Sequence, residues 1–241
     1  MKQACKIFLL CVILISLFHE SNAQLNITSS ANAQALVQKL LGPGVTVSNI
    51  VLSGHPAMTG FFNNLSGTNI GIDSGIVLTN GRAKTTGVGN NGVDGNGIAA
   101  AINVDAFNAW GYPGDQDLTD IVSEATHDAC ILEFDFVPLG DSIKFNYVFS
   151  SEEYTDFACT QYNDAFAFFI RGPGIVGQKN IALIPGTSLP VTINNINEKA
   201  CALYPQYFIN NEQNKFFTHN GHIKVFTASE RVQPCQSYHL K

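Results

Sequence analysis

Charge is scarce in this chain. Of 241 residues only 13% are Asp, Glu, Lys or Arg, about half the share of an ordinary globular protein. The 13 Lys and Arg are outnumbered by 19 Asp and Glu, and they form no cluster, which excludes a nucleic-acid partner. No C-x-x-C pair is present, so a zinc site of the usual spacing is excluded. No G-x-S-x-G elbow occurs, and the glycine-rich stretch at 87–97 lacks the G-K-[ST] ending of a phosphate loop. Past residue 23 no apolar run is long enough for a membrane-spanning helix. Tryptophan occurs once and methionine twice, so the core falls to 17 Phe, 7 Tyr and the aliphatic residues. That supply excludes a disordered chain. Gly, Asn, Ser and Thr fill the place of the missing charge, which suits many strands joined by turns. The length fits one sizeable β-rich domain or at most two small ones.

The first 23 residues stand apart. Lys2 and Lys6 precede an apolar run at 7–18, and Ser21-Asn22-Ala23 offers a small-x-small cleavage site. This is the pattern of a secretory signal peptide. Removing Lys2, Lys6 and Glu20 leaves 11 basic and 18 acidic residues, a net charge of −7. The expected location is therefore secreted or at the outer cell surface.

Residues 32–41 carry apolar side chains at Ala33, Leu36, Val37, Leu40 and Leu41, the stripe of a short amphipathic helix. Gly42-Pro43-Gly44 stops it. A second short helix opens at Asp115, whose carboxylate is placed to cap it. Strands are expected at 45–52, 75–78, 131–137, 143–149, 165–170, 180–184, 191–193, 207–209 and 223–228. Asn80-Gly81 is a turn signal. Between the strands at 75–78 and 131–137 lies a Gly-, Asn- and Asp-rich loop at 81–117, and loops of that length are usually functional or mobile. The pattern is mostly β: an antiparallel β-sandwich, jelly-roll-like, with one or two peripheral helices and a single domain over 24–241.

The acids concentrate in one stretch, FSSEEYTDFACTQYNDAFAFFI at 149–170. Glu152, Glu153, Asp156, Asn163 and Asp164 are hard oxygen donors at strand ends or in the loop between them. Asp73, Asp115 and Asp117 lie in other loops that a neighbouring strand end would bring near. Together they form a candidate calcium set, because Ca²⁺ takes six to eight such oxygens. Asn and Asp are also the ordinary residues of turns. A catalytic glutamate pair is disfavoured, because adjacent residues on a strand point to opposite faces whereas glycoside hydrolysis needs two converging carboxyls. Trp110, Tyr112 and Tyr154 are candidates for a sugar-stacking platform, with Trp110 and Tyr112 as the contact residues. Burial in the core is the competing reading for such aromatics.

Four cysteines remain after the leader, Cys130, Cys159, Cys201 and Cys235, and an even number in an exported chain points to two disulfides with three possible pairings. Cys159 and Cys201 both flank loop sequence, which suggests a loop-to-loop clamp. Cys130 and Cys235 both precede expected strands and would form the second bridge. One bridge with two buried thiols is the alternative. The histidines show no metal spacing beside a carboxylate, and His219 and His222 flank a turn at Asn220-Gly221.

Several segments in order carry a resemblance. They are Gly71-Ile-Asp-Ser-Gly-Ile-Val-Leu78, Tyr112-Pro-Gly-Asp-Gln-Asp-Leu118, Leu132-Glu-Phe-Asp-Phe-Val-Pro138 and Tyr147-Val-Phe-Ser-Ser-Glu-Glu-Tyr154. Tyr162-Asn-Asp-Ala-Phe-Ala-Phe-Phe169, Asn180-Ile-Ala-Leu-Ile-Pro-Gly186, Pro190-Val-Thr-Ile-Asn-Asn-Ile-Asn197 and Pro234-Cys-Gln-Ser-Tyr-His-Leu-Lys241 complete them. In this order the chain resembles the choice-of-anchor L domain. The resemblance implies a large exported bacterial surface protein of the kind common in Bacteroidetes, with repeats and a type IX sorting or anchoring segment downstream. It also implies that the strand begun at Tyr238 continues into further strands, so that 24–241 is the front part of a longer surface protein, truncated at its last strands. The expected function is a non-catalytic adhesion or structural module, with calcium as a stabilising ion. A carbohydrate-binding module is the second reading and a glycan-directed hydrolase, with Glu152 or Glu153 as acid, the third. An extracellular glycan or another surface protein is the partner these readings imply.

Overall fold

The computed structural model describes residues 25–42, 44–65, 67–86, 92–94, 110–211 and 216–241. The expected leader at 1–23 and most of the 81–117 loop lie outside the described residues. In chain order the elements begin with β1 (Asn26–Ser29), α1 (Ala33–Leu40), β2 (Thr46–Ser53), β3 (Thr59–Asn63), β4 (Ser74–Leu78) and α2 (Gln116–Val122). They continue with β5 (Ile131–Val137), β6 (Ser142–Tyr147), β7 (Ser150–Ser151), β8 (Ala165–Phe166), β9 (Phe169–Arg171) and β10 (Lys179–Asn180). The last are β11 (Val191–Thr192), β12 (Phe208–Asn210), β13 (Gly221–Ile223), β14 (Phe226–Arg231) and β15 (Tyr238–Leu240).

The strands form several antiparallel sheets. The largest has the order β10-β9-β15-β5-β2. Its alternation is that of the sequence: Leu132, Phe134 and Phe136 of β5 are buried, while Glu133 and Asp135 face the other way. β14 pairs with β6 over six residues, from Phe226↔Tyr147 to Arg231↔Ser142. Phe145, Tyr147, Phe226 and Ala228 of this pair join Phe134, Phe136, Ile170, Tyr238 and Leu240 of the five-stranded sheet in one core. The two layers thus bury their apolar faces against each other, which is the arrangement of a sandwich. Each fully buried Phe contributes roughly 2–3 kcal/mol by leaving water.

A second, smaller cluster of Leu25, Ile27, Ala83, Val93 and Phe217 lies behind the sheet β1-β3-β4. Phe61, Ile76 and Leu78 of that sheet pack on the main core, while Phe62 and Val77 pack on the second. The sheet therefore has apolar residues on both faces. That is why the apolar pair Phe61-Phe62 in β3 breaks the inward-outward alternation, and why β1 and β3 were not singled out in the sequence.

Both helices form where expected. Asn32 caps α1 by accepting from Ala35 N at 3.0 Å, and Leu36 and Val37 are buried. Asp115 caps α2 by accepting from Leu118 N at 3.2 Å. Three expected strands are corrected. The 165–170 run is broken into β8 and β9, because Phe168 N turns to the side-chain oxygen of Asn180 at 3.2 Å. The 223–228 run is broken between Ile223 and Phe226, and each part pairs in a different sheet. The 180–184 strand is reduced to Lys179–Asn180, although Ile181, Ala182 and Ile184 are buried.

Candidate functional site

The acidic stretch leaves the sheet at β7, where Ser150 pairs with His222 and Ser151 with Gly221 of β13. It forms a loop over 152–163 and returns at β8. Glu152 and Glu153 lie past the end of β7, in a bend. The opposite-face rule for adjacent strand residues therefore does not govern them, and this part of the sequence reading is corrected.

Ser151 ties the two ends of the loop. Its hydroxyl donates to Asp164 Oδ2 at 2.6 Å and accepts from Glu153 N at 3.0 Å. Asn220 Nδ2 donates to the Glu152 carbonyl at 2.6 Å. Glu153 is half-buried, and its Oε2 is enclosed without a hydrogen-bond partner. Burial, and then the charges of Asp164 and Glu152, push the Glu153 carboxyl up to about 7. Burial also raises Asp164, against the Ser151 hydroxyl bond that lowers it. Tyr154 is fully buried with an unpartnered hydroxyl, and burial followed by the Asp164 charge raises its phenol. Alongside, Ser150 Oγ and His219 Nδ1 lie 2.8 Å apart. Burial holds His219 down at about 4, so it is neutral near pH 7.

The far end of the loop is clamped. Cys159 is joined to Cys201. Cys159 N donates to Asn194 Oδ1 at 2.6 Å, and Asn194 Nδ2 donates to the Thr160 carbonyl at 3.2 Å. Lys199 Nζ donates to the carbonyls of Asp156 and Ala158 at 3.0 and 3.2 Å. Buried Asn197 organises the opposing strand end, donating to Ile193 O at 2.8 Å and accepting from Lys199 N at 2.7 Å. Thr155 and Cys159 both adopt left-handed backbone, with φ of 73° and 72°. Such positions cost of order 1–3 kcal/mol each and persist only when the surroundings impose them. Two rings nonetheless stay in solvent: Phe157 is 46% and Tyr162 50% exposed. They meet edge to face at 5.3 Å.

The structure divides the eight-residue calcium set. Glu152, Glu153 and Asp164 share the base of the loop. Asp156 is exposed farther along it, and Asn163 Oδ1 accepts from Asn194 N at 3.2 Å. Asp73 is exposed in the turn before β4. Asp115 and Asp117 both bind the Lys241 ammonium, at 2.5 and 2.6 Å. Among the described residues no group of three or more His, Cys, Asp or Glu side chains is placed to hold a metal ion.

The expected Cys130–Cys235 bridge is corrected, since both are free thiols. Cys130 stands just before β5, and Cys235 N donates to the Pro138 carbonyl just after it. The length of β5, roughly 20 Å, lies between them, whereas a disulfide needs Cα atoms within about 7 Å. Burial pushes the Cys130 thiol up to about 12; Cys235 is exposed, not buried.

Trp110 makes internal contacts. Its ring stacks on His55 at 3.7 Å, its indole N–H donates to the Gly81 carbonyl at 3.2 Å, and the Arg82 guanidinium sits 5.1 Å from its centroid. Tyr112 is 40% exposed. The sequence reading missed the exposed Phe157–Tyr162 pair, for which the only signal was two aromatics in a polar loop. It also missed His239, whose Nδ1 lies 2.8 Å from Asp135 and Nε2 3.3 Å from Glu133. The alternation of β5 placed those two acids on one face, but the cross-strand register that brings His239 there is not local in sequence.

A family model, the choice-of-anchor L domain, matches residues 24–241. No curated protein and no solved structure matches the chain.

Proposed function

Because the chain belongs to the choice-of-anchor L domain family, we propose that it is a non-catalytic module displayed outside the cell, with a structural or adhesive role. The family name points to a surface-anchored module. The observation that carries the reading is the Cys159–Cys201 clamp. Disulfides persist in oxidising compartments, and this one braces a loop that holds apolar rings in water. Contiguous exposed apolar groups on a fixed backbone are the mark of an interaction surface. Among the described residues no helix is long and apolar enough to cross a membrane.

The test pairs two measurements on the native protein: labelling of intact cells from outside, and mass spectrometry under non-reducing conditions. The expected result is surface labelling with a cross-linked Cys159–Cys201 peptide. A reduced Cys159 in protein that is not labelled from outside overturns the reading.

A glycan is the second reading for the partner. Half-exposed aromatic rings flanked by Asp156, Thr160 and Asn194 suit stacking under a sugar, with polar groups beside it. On a glycan array, Phe157→Ala and Tyr162→Ala should then remove binding, and Tyr112→Ala should test the contact residue expected from sequence. The non-catalytic assignment is supported by the enclosure of one Glu153 carboxyl oxygen, Oε2. Two described cavities of about 550 and 280 Å³ are lined by other residues, Lys179 and Glu230 among them in the first and Leu40 and Leu139 in the second. Glycan hydrolysis by the wild type that is lost in Glu153→Gln would reassign the protein to the hydrolases.

A further inference from the structure

Three lysines face carboxylates: Lys84 lies 3.7 Å from Asp94, Lys179 pairs with Glu230, and Lys241 binds Asp115 and Asp117. Arg82 is different. Among the described residues no carboxylate or carbonyl accepts from its guanidinium; its Nε is enclosed without a partner, while its terminal amino groups are not enclosed. The group is nonetheless held in place. It lies over the Trp110 ring, 5.1 Å from the centroid, in a cation–π contact. The indole is fixed in turn: its N–H donates to the Gly81 carbonyl at 3.2 Å, and the ring stacks on His55 at 3.7 Å. Asp128 is the acid of this cluster, and it is engaged elsewhere. Its Oδ2 accepts from Trp110 N at 3.1 Å and its Oδ1 from Tyr112 N at 2.7 Å. His55 Nδ1 accepts from Ala57 N at 3.1 Å, so the imidazole proton stands on Nε2, which has no partner among the described residues. Tyr112, edge-on to His55 at 6.2 Å, is part-exposed. The cluster therefore gathers donors and aromatic surface around a cation without a free acid.

We propose that Arg82 anchors a binding site for a short oligosaccharide carrying one carboxylate. The planar end of a guanidinium matches a carboxylate through two parallel N–H···O bonds. Trp110, in contact with both His55 and Arg82, aims the guanidinium and is not itself the sugar platform. The part-exposed Tyr112 ring offers a sugar its apolar contact, and His55 Nε2–H offers a hydroxyl a donor. Successive spacings of 5.1, 3.7 and 6.2 Å from Arg82 through Trp110 and His55 to Tyr112 keep these groups within reach of a short oligosaccharide. Residues 81–86 and 110–112 belong to no strand, so they present no ladder edge to a peptide backbone. The charge of the chain selects one carboxylate over a polyanion. Past the leader the net charge is −7 and the basic residues form no cluster, so a long anionic chain meets general repulsion and a single matching contact. The site shares no residue with the Phe157–Tyr162 loop, so the two fail separately.

The probe is an aldobiouronate, one uronate linked to one neutral sugar, added to the oxidised protein and followed by nitrogen-15 NMR. Trp110 is the one tryptophan of the chain, so its indole N–H signal identifies itself. That signal and the Arg82 Nε–H should shift saturably, with a Kd of about 1 mM or tighter. The uncharged methyl ester of the same sugar should bind roughly tenfold or more weakly. Arg82→Lys keeps the charge but loses the two-pronged contact and should weaken binding, and Arg82→Gln should abolish it. An unshifted indole, an ester that binds as well as the acid, or undiminished binding in Arg82→Gln overturns the proposal. So does acetate or a short acidic peptide that binds as tightly as the aldobiouronate, because the sugar would then contribute nothing. Inorganic phosphate that binds more tightly overturns it in favour of a phosphate site. The comparison of acid and ester uses wild-type protein alone, so it decides even where an Arg82 variant does not fold.

Discussion

The Ser151 hydroxyl donates to Asp164 across 2.6 Å and thereby joins the outgoing and returning ends of the 152–163 loop. Ser151 is itself 3% exposed, so no solvent replaces this bond when it is lost. Ser151→Ala should leave Asp164 short of a donor and destabilise the protein by about 2 kcal/mol. For a domain of this size that is a fall in Tm of roughly 4–8 °C. Thermal unfolding monitored by circular dichroism measures it; a Tm within a degree of wild type would remove Ser151 from this role.

The pH dependence has a definite sign. The folded-state pKa of Glu153 is raised from its ordinary value of 4.5 to about 7. The folded state therefore binds more protons than the unfolded state between those values, and the stability it contributes below 4.5 is lost as pH rises through 7. His219 works oppositely: lowered from 6.5 to about 4, it contributes stability above 6.5 that is lost as pH falls toward 4. Urea unfolding of wild type and Glu153→Gln at pH 5 and 8.5 should show a gap favouring the variant at the higher pH. Allowing for the half-exposed side chain, that gap is about 1 kcal/mol. Parallel curves at both pH values would contradict the raised carboxyl.

Reduction of Cys159–Cys201, which closes a sequence separation of 42, should cost about 3 kcal/mol. The first consequence is local. Limited proteolysis of the reduced protein should cut near exposed Phe157 before any other described site, and an unaltered digestion pattern would show that Asn194 and Lys199 suffice to hold the loop.

Lys241 holds Asp115 and Asp117. Burial opposes its charge, but the two carboxylates outweigh that and raise its pKa. The bond to Lys241 in turn lowers Asp117. Lys241→Met should leave buried Asp115 without its cation and destabilise the protein by about 2 kcal/mol. A Tm equal to wild type would show that α2 needs no such tie.

With Asp115 and Asp117 taken by Lys241, the calcium set retains only the base of the loop. Excess chelator is expected to leave the Tm unchanged at pH 6, where Glu153 carries its proton. A chelator-lowered Tm at pH 8.5 would show that carbonyl oxygens complete a cation site with Glu152, Glu153 and Asp164.

What was legible in the sequence was governed by local pattern. The period-two run at 131–137 and the caps at Asn32 and Asp115 gave β5, α1 and α2, because alternation and capping act over a few residues. β1 and β3 were missed because their sheet is covered on both faces, which erases alternation. The Cys159–Cys201 clamp was suggested by loop placement. The Cys130–Cys235 bridge failed because the span of β5 between two cysteines is set by the register of the folded sheet. The acids at 152–164 were visible as a cluster between two apolar runs, with Glu152 and Glu153 not told apart. The enclosure of Glu153 Oε2, beside Ser151 and Asp164, depends on a loop closing on itself, and nothing in residue spacing reports that closure.

β15 lies between β9 and β5 in the five-stranded sheet, and the Lys241 backbone exchanges two 2.8 Å hydrogen bonds with Phe169. A central strand taken from 238–240 means that the sheet is completed from its flanks inward. As the chain emerges from the ribosome, β5 and β9 each carry an open ladder edge until more than a hundred residues beyond β5 have been made. Such a topology folds slowly, and it keeps the polypeptide threadable until residues 238–240 have been made.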